Sequence, residues 1–143
     1  MSIDIRPVVA ADHEAWLPLW QGYQRFYMTE IPADTSAVTW QRFLDPAEPM
    51  GAALAWQGDQ AIGLVHWVIH RSTWTTGDYC YLQDLFVADD LRGDGIGRCT
   101  LVVRRRLGTT DNNNTTTNMT INTTTTRQKL QMNVAAVVLV PSE

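Results

Sequence analysis

The sequence predicts a mixed α/β (α+β) domain, on three observations. Strand-like and helix-like apolar periods alternate from residue 3 onward. Two apolar runs flank a tight turn at Gly58 and Asp59. A glycine-rich stretch, LRGDGIGR, joins a strand-like run to a helix-like one. At 143 residues the chain is expected to be one domain, 1–143. A chain of that size buries about two thirds of its unfolded surface.

The elements follow in order. IDIRPVV (3–9) alternates and is rich in β-formers, so it reads as a first strand, with Pro7 marking an edge or a strand end. Trp16, Leu19, Trp20, Tyr23, Phe26 and Tyr27 recur at three- and four-residue steps, one face of a helix. Pro18 and Gly22 lie inside that pattern and predict a kink or break. A second helix buries Trp40, Phe43 and Leu44, with Asp34 or Thr35 as its cap and Pro46 as its stop. GAALAWQGDQAIGLVHWVIH reads as a hairpin, because glycine accepts positive φ at the first turn position. GDYCYLQDLFV is the fourth strand, and GIGRCTLVVRRRLG is expected to be a helix. Residues 109–126 are nearly all threonine and asparagine, with too little apolar surface to offset their ordering entropy. Residues 133–141 look like a buried C-terminal strand.

Composition narrows the function. Apolar residues are 45% and charged residues 18% of the chain, as in a soluble globular protein. Its six tryptophans all precede residue 75, so the core or an aromatic pocket is expected there. The net charge of −4 argues against nucleic acid, which needs a basic face. The run of Arg104, Arg105 and Arg106 reads as a solvated helix face. Cys80 and Cys99 have no metal-ligand spacing and are expected to be buried thiols in a reducing cytosol. The N-terminus lacks a signal-peptide pattern, and no apolar run approaches ~18 residues, so no membrane contact and a cytoplasmic location are expected. No metal site is expected.

The glycine loop is neither a Walker loop nor a dinucleotide loop, because Arg98 and Thr100 stand where those patterns need glycine. What remains is Arg-X-X-Gly-X-Gly: Arg92, Gly93, Asp94, Gly95, Ile96 and Gly97. Glycines there let backbone N–H groups approach an anion at a helix start. A tight strand–helix connection explains the same glycines, and both readings stay open on the residues alone.

LFVADDLRGDGIGR after a strand closely resembles motif A of the GNAT N-acetyltransferase superfamily, [QR]-x-x-G-x-[GA]. The approach through YCYLQDLFV is similar to a bacterial subgroup of polyamine and diamine acetyltransferases, which show Tyr-Leu-Glu-Asp before the strand. The resemblance covers about residues 3–108. It implies the GNAT acyl-CoA N-acyltransferase fold, a central, mostly antiparallel sheet flanked by helices. It implies acetyl-CoA as cosubstrate and transfer of acetyl to an amine of a small molecule, polyamine or peptide in a ternary complex. By resemblance, residues 92–97, with Arg98, hold the pyrophosphate. The edge near Leu85, Phe86 and Val87 pairs with the pantetheine arm. A bulge in that strand opens the cleft, and the amide of Leu85 or Phe86 stabilises the oxyanion. The family often dimerises, so a homodimer is among the expectations.

Two departures matter. Gln83 stands where the related motif has glutamate, and an amide is no base. Asp84 is ionisable, but strand neighbours point to opposite faces, so it replaces that acid only if a bulge turns it inward. Otherwise it is a structural carboxylate. His66 and His70, on the neighbouring strand, are each either a base or a satisfied structural histidine, and Trp74 and Tyr81 are either an amine pocket or packing. The family's general-acid tyrosine lies in a C-terminal stretch with no counterpart here: no aromatic residue follows Phe86. An N-acetyltransferase is therefore expected, with a catalytically impaired CoA-binding module as the alternative.

Overall fold

The computed structural model describes residues 3–74, 76–88, 99–106, 114–121 and 137–138, the last three segments as backbone. In chain order the elements are β1 (Asp4–Pro7), a 3-10 turn (Ala10–Asp12), α1 (His13–Phe26), α2 (Ala33–Leu44), β2 (Met50–Gln57), β3 (Gln60–Arg71), β4 (Asp78–Val87), β5 (Cys99–Arg106), β6 (Asn114–Ile121) and β7 (Val137–Val138). One sheet has the order β1-β2-β3-β4-β7, and every pairing within it is antiparallel. β5 and β6 form a separate antiparallel pair.

The expected hairpin is present. Gly58 sits at φ +59, in the left-handed region that glycine enters without steric penalty, and it turns β2 into β3. α1 runs unbroken through Pro18 and Gly22, against the break expected there. Proline removes one intrahelical bond, and the burial of Trp16, Leu19 and Trp20 on the sheet is worth about 1.5–3 kcal/mol per large side chain, which offsets that loss. α2 begins at Ala33 behind Pro32, and neither Asp34 nor Thr35 caps it. Pro32 stands at the N-cap with extended backbone, φ −52 and ψ 141.

Two further expectations are corrected. The segment 99–106, read as a helix, is a strand. Its run of Leu101, Val102 and Val103 is β-favouring, and a short apolar run does not by itself separate strand from helix. The Thr/Asn-rich stretch, read as unable to order, contributes β6, which pairs residue for residue with β5. Backbone ladder bonds and β-branched threonines suffice for a two-stranded pairing without an apolar period. Of the expected C-terminal strand, Val137 and Val138 are seen, paired to Cys80 and Tyr79.

The sheet separates two apolar clusters. α1 and α2 cover one face, where Trp16, Trp20, Trp40, Leu54, Leu64 and Phe86 pack. Ala53, Val65, Trp67, Ile69 and Cys80 gather on the other face. Burial pushes the Cys80 thiol up to about 11, so it behaves as a small hydrophobe. Four of the six tryptophans are buried, as the sequence suggested, but Trp74 is 92% exposed in the β3–β4 connection.

Candidate active site

The site is built on one extra residue in β4. Trp67 pairs with Leu82, and the next partner, His66, pairs with Asp84, so Gln83 has no counterpart in the ladder. This is a β-bulge. It reverses the alternation of the strand. Cys80 and Leu82 lie with the cluster opposite the helices, as does Leu85. Phe86 instead lies under α1 with Leu64, its ladder partner. The bulge therefore turns Asp84 toward the helices beside its own ladder partner, His66. Asp84 thus faces inward, as its sequence reading required of a bulge.

Asp84 and His66 are held by a buried network. The Trp16 indole Nε1–H donates to His66 Nε2 at 2.9 Å. An indole nitrogen only donates, so Nε2 accepts and the ring proton sits on Nδ1. That proton is donated to Asp84 Oδ2 at 2.9 Å. His66 is 2% exposed. Its pKa is lowered from the ordinary 6.5 because burial disfavours the charged ring, outweighing the hydrogen bond and charge of Asp84. The pair is thus a neutral imidazole donating to a carboxylate, and His66 is not a free base. The rings of Phe43 at 4.5 Å and Trp20 at 4.9 Å complete its enclosure.

Tyr23 joins from α1. Burial first, then a hydrogen bond to Asp84 and the neighbouring charges of Asp84, Tyr27 and Tyr81, hold its hydroxyl well above its usual range. It stays protonated beside Asp84. Helix and strand meet closely here: a Cβ at Gly22 would lie 2.9 Å from two ring atoms of Phe86. Only glycine lets α1 come this near, and Tyr23, the next residue, then reaches Asp84. A cleft of ≈ 640 Å³ runs along α1 past Pro18, Leu19 and Gly22 to Phe86 and Ala88.

Of the residues singled out in the sequence, the fold gathers Asp84, Tyr81, His66 and Phe86 on the helix side. Gln83 is exposed on the bulge, Leu85 is half-buried on the opposite face, and Val87 is half-buried opposite Gly63. Arg92, Gly93, Asp94, Gly95, Ile96, Gly97 and Arg98 lie outside the described residues. Trp16 and Tyr23 were read as core residues of a helix, and their polar roles escaped sequence reasoning. The trace they left was a Trp N–H and a Tyr O–H that require partners once buried.

Residues 14–99 match the model of the GNAT acetyltransferase family. The chain is 35% identical over 98 residues to a D-amino-acid N-acetyltransferase of Saccharomyces cerevisiae, a match covering 67% of this chain and 61% of that protein. The chain thus spans less than two thirds of that relative's length. A possible acetyltransferase of Clostridium difficile 630 has a similar fold, with TM-score 0.58, 16% identity and coverage of 67% of this chain and 64% of the other. A ribosomal-protein-alanine N-acetyltransferase of Brucella melitensis biovar Abortus 2308 is alike at TM-score 0.55, 22% identity, and 67% and 64% coverage.

Proposed function

This chain belongs to the GNAT acetyltransferase family, and on that premise we propose that it is an N-acetyltransferase moving an acetyl group from acetyl-CoA to a primary amine. The observation that carries the reading is the bulge at Gln83, which turns Asp84 inward beneath α1. Bound acetyl-CoA supplies the activated acetyl thioester. Leu85, Phe86 and Val87 of β4, with residues 92–98, would hold it by the family resemblance. A bulged stretch of backbone suits this task, because local departure from the ladder re-aims peptide groups.

The chain's own residues do the rest. Asp84 holds the acceptor's ammonium. Its carboxylate accepts from the neutral His66 ring and lies beside the protonated Tyr23 hydroxyl, neutral neighbours that orient it toward a cation. Asp84 aligns the acceptor; the ammonium loses its proton to solvent before reaction, the neutral amine attacks the thioester carbonyl, and CoA leaves as the thiolate, which takes up a proton from solvent. Gln83 on the exposed side of the bulge orients a water by its amide. The reading includes a small-molecule acceptor, a cytoplasmic setting and a homodimer.

A second reading is favoured by Gln83 itself. An amide cannot take a proton, and on this second reading the chain binds CoA without turnover. Calorimetry with CoA and turnover on an amine panel, for the wild type and for Gln83→Glu, separate the two. Binding with turnover, raised by Gln83→Glu, supports the enzyme. Binding without turnover in either form supports the binding module. Absence of CoA binding at millimolar ligand overturns both.

A further inference from the structure

We infer that the acceptor is an amine carrying an aromatic or large apolar group, its ammonium at Asp84 and that group against Tyr23, Tyr27 and Tyr81. The inference rests on the acetyltransferase reading and names its substrate class.

The first ground is an uncompensated charge. Asp84 is buried, and among the described residues its contacts are the neutral His66 ring and the Tyr23 hydroxyl. Burying a carboxylate without a cation is costly. The contrast within this chain is Asp12, equally buried, which faces the Arg6 guanidinium at 3.2 Å. Among the described residues no cation faces Asp84, and an ammonium would complete the site.

The second ground is the rim. Tyr23 and Tyr27 stand one helical turn apart on α1, their ring centroids 4.8 Å apart. Tyr81 enters from β4, on the same face as Asp84, and both Tyr27 and Tyr81 bear on the Tyr23 hydroxyl. Tyr27 is 47% and Tyr81 45% exposed. Half-exposed rings around a buried carboxylate offer cation–π contact to the ammonium and stacking to a flat substituent.

The test uses the full chain and two readouts. Calorimetry without acetyl-CoA compares phenethylamine with spermidine. Turnover with acetyl-CoA compares phenethylamine with putrescine, and D-phenylalanine with D-alanine. The expected result is at least about tenfold preference for the aromatic partner in each pair, the scale of discrimination a hydrophobic pocket achieves. Tyr27→Ala and Tyr81→Ala are expected to narrow that ratio through KM, Tyr81→Phe to keep it, and Asp84→Asn to remove amine binding. Spermidine binding as tightly as phenethylamine, or a ratio untouched by both alanine variants, overturns the inference. Aromatic amines that bind but are never acetylated leave it standing and sink the acetyltransferase reading. Acetylation without aromatic preference does the reverse.

Discussion

Lowering the pH should unfold this protein through His66, by an amount that can be worked out in advance. The ring is enclosed by Trp16, Trp20 and Phe43, accepts a hydrogen bond at Nε2 and donates at Nδ1, so the folded state holds it neutral. Burial lowers its pKa from the ordinary 6.5 that the unfolded chain keeps. A depressed folded pKa means that the unfolded state binds the extra proton first. Stability is therefore full above 6.5 and is lost as pH falls below it. For a ring that stays neutral throughout, the loss from about pH 7.5 to about pH 5.5 is a factor of ten in the folding constant, about 1.4 kcal/mol. Aspartates and glutamates titrate mostly below this window. Urea unfolding followed by tryptophan fluorescence, at both pH values, measures the loss. His66→Asn is the control: its side-chain amide can still donate to Asp84, it does not titrate, and it should be less stable but flatter with pH. If wild type and variant lose the same stability over this range, the neutral buried ring is wrong.

Two further substitutions test the packing. Gly51→Ala places a Cβ 2.5 Å from the buried Trp67 indole that covers it across the β2–β3 ladder. Overpacking of this kind costs about 1–3 kcal/mol, partly offset by the entropy that glycine loses, and a lower urea midpoint with unchanged slope should report it. Met28 closes α1 at φ 51, with Met28 N–H on Arg25 O and Thr29 N–H on Gln24 O. That closing geometry normally takes glycine, and Met28 is 94% exposed, so Met28→Gly should raise stability by up to about 1 kcal/mol in the same assay.

Much of the fold was readable because it rests on short-range periodicity. The stripe of Trp16, Leu19 and Trp20, the apolar runs on either side of Gly58, and the alternation through β3 are local patterns that water enforces on any chain carrying them. Failures came where a local pattern was ambiguous or weak. Residues 99–106 satisfied helix and strand alike. The Thr/Asn stretch had no period, yet backbone ladder bonds ordered part of it.

Membership of the family, Gln83 in place of a glutamate and the absence of aromatic residues from 87 to 143 were determined by the order of residues alone. The role of Asp84 was decided only in three dimensions. Its facing depends on one unpaired residue in β4, and a period of two cannot reveal where that period slips. Its neighbours His66 and Tyr23, and the Trp16 that donates to His66, lie far from it in sequence and meet there because Gly22 lets α1 settle against Phe86. Hydrogen bonds between distant residues leave no periodic trace, so the electrostatics of this site belong to the tertiary structure.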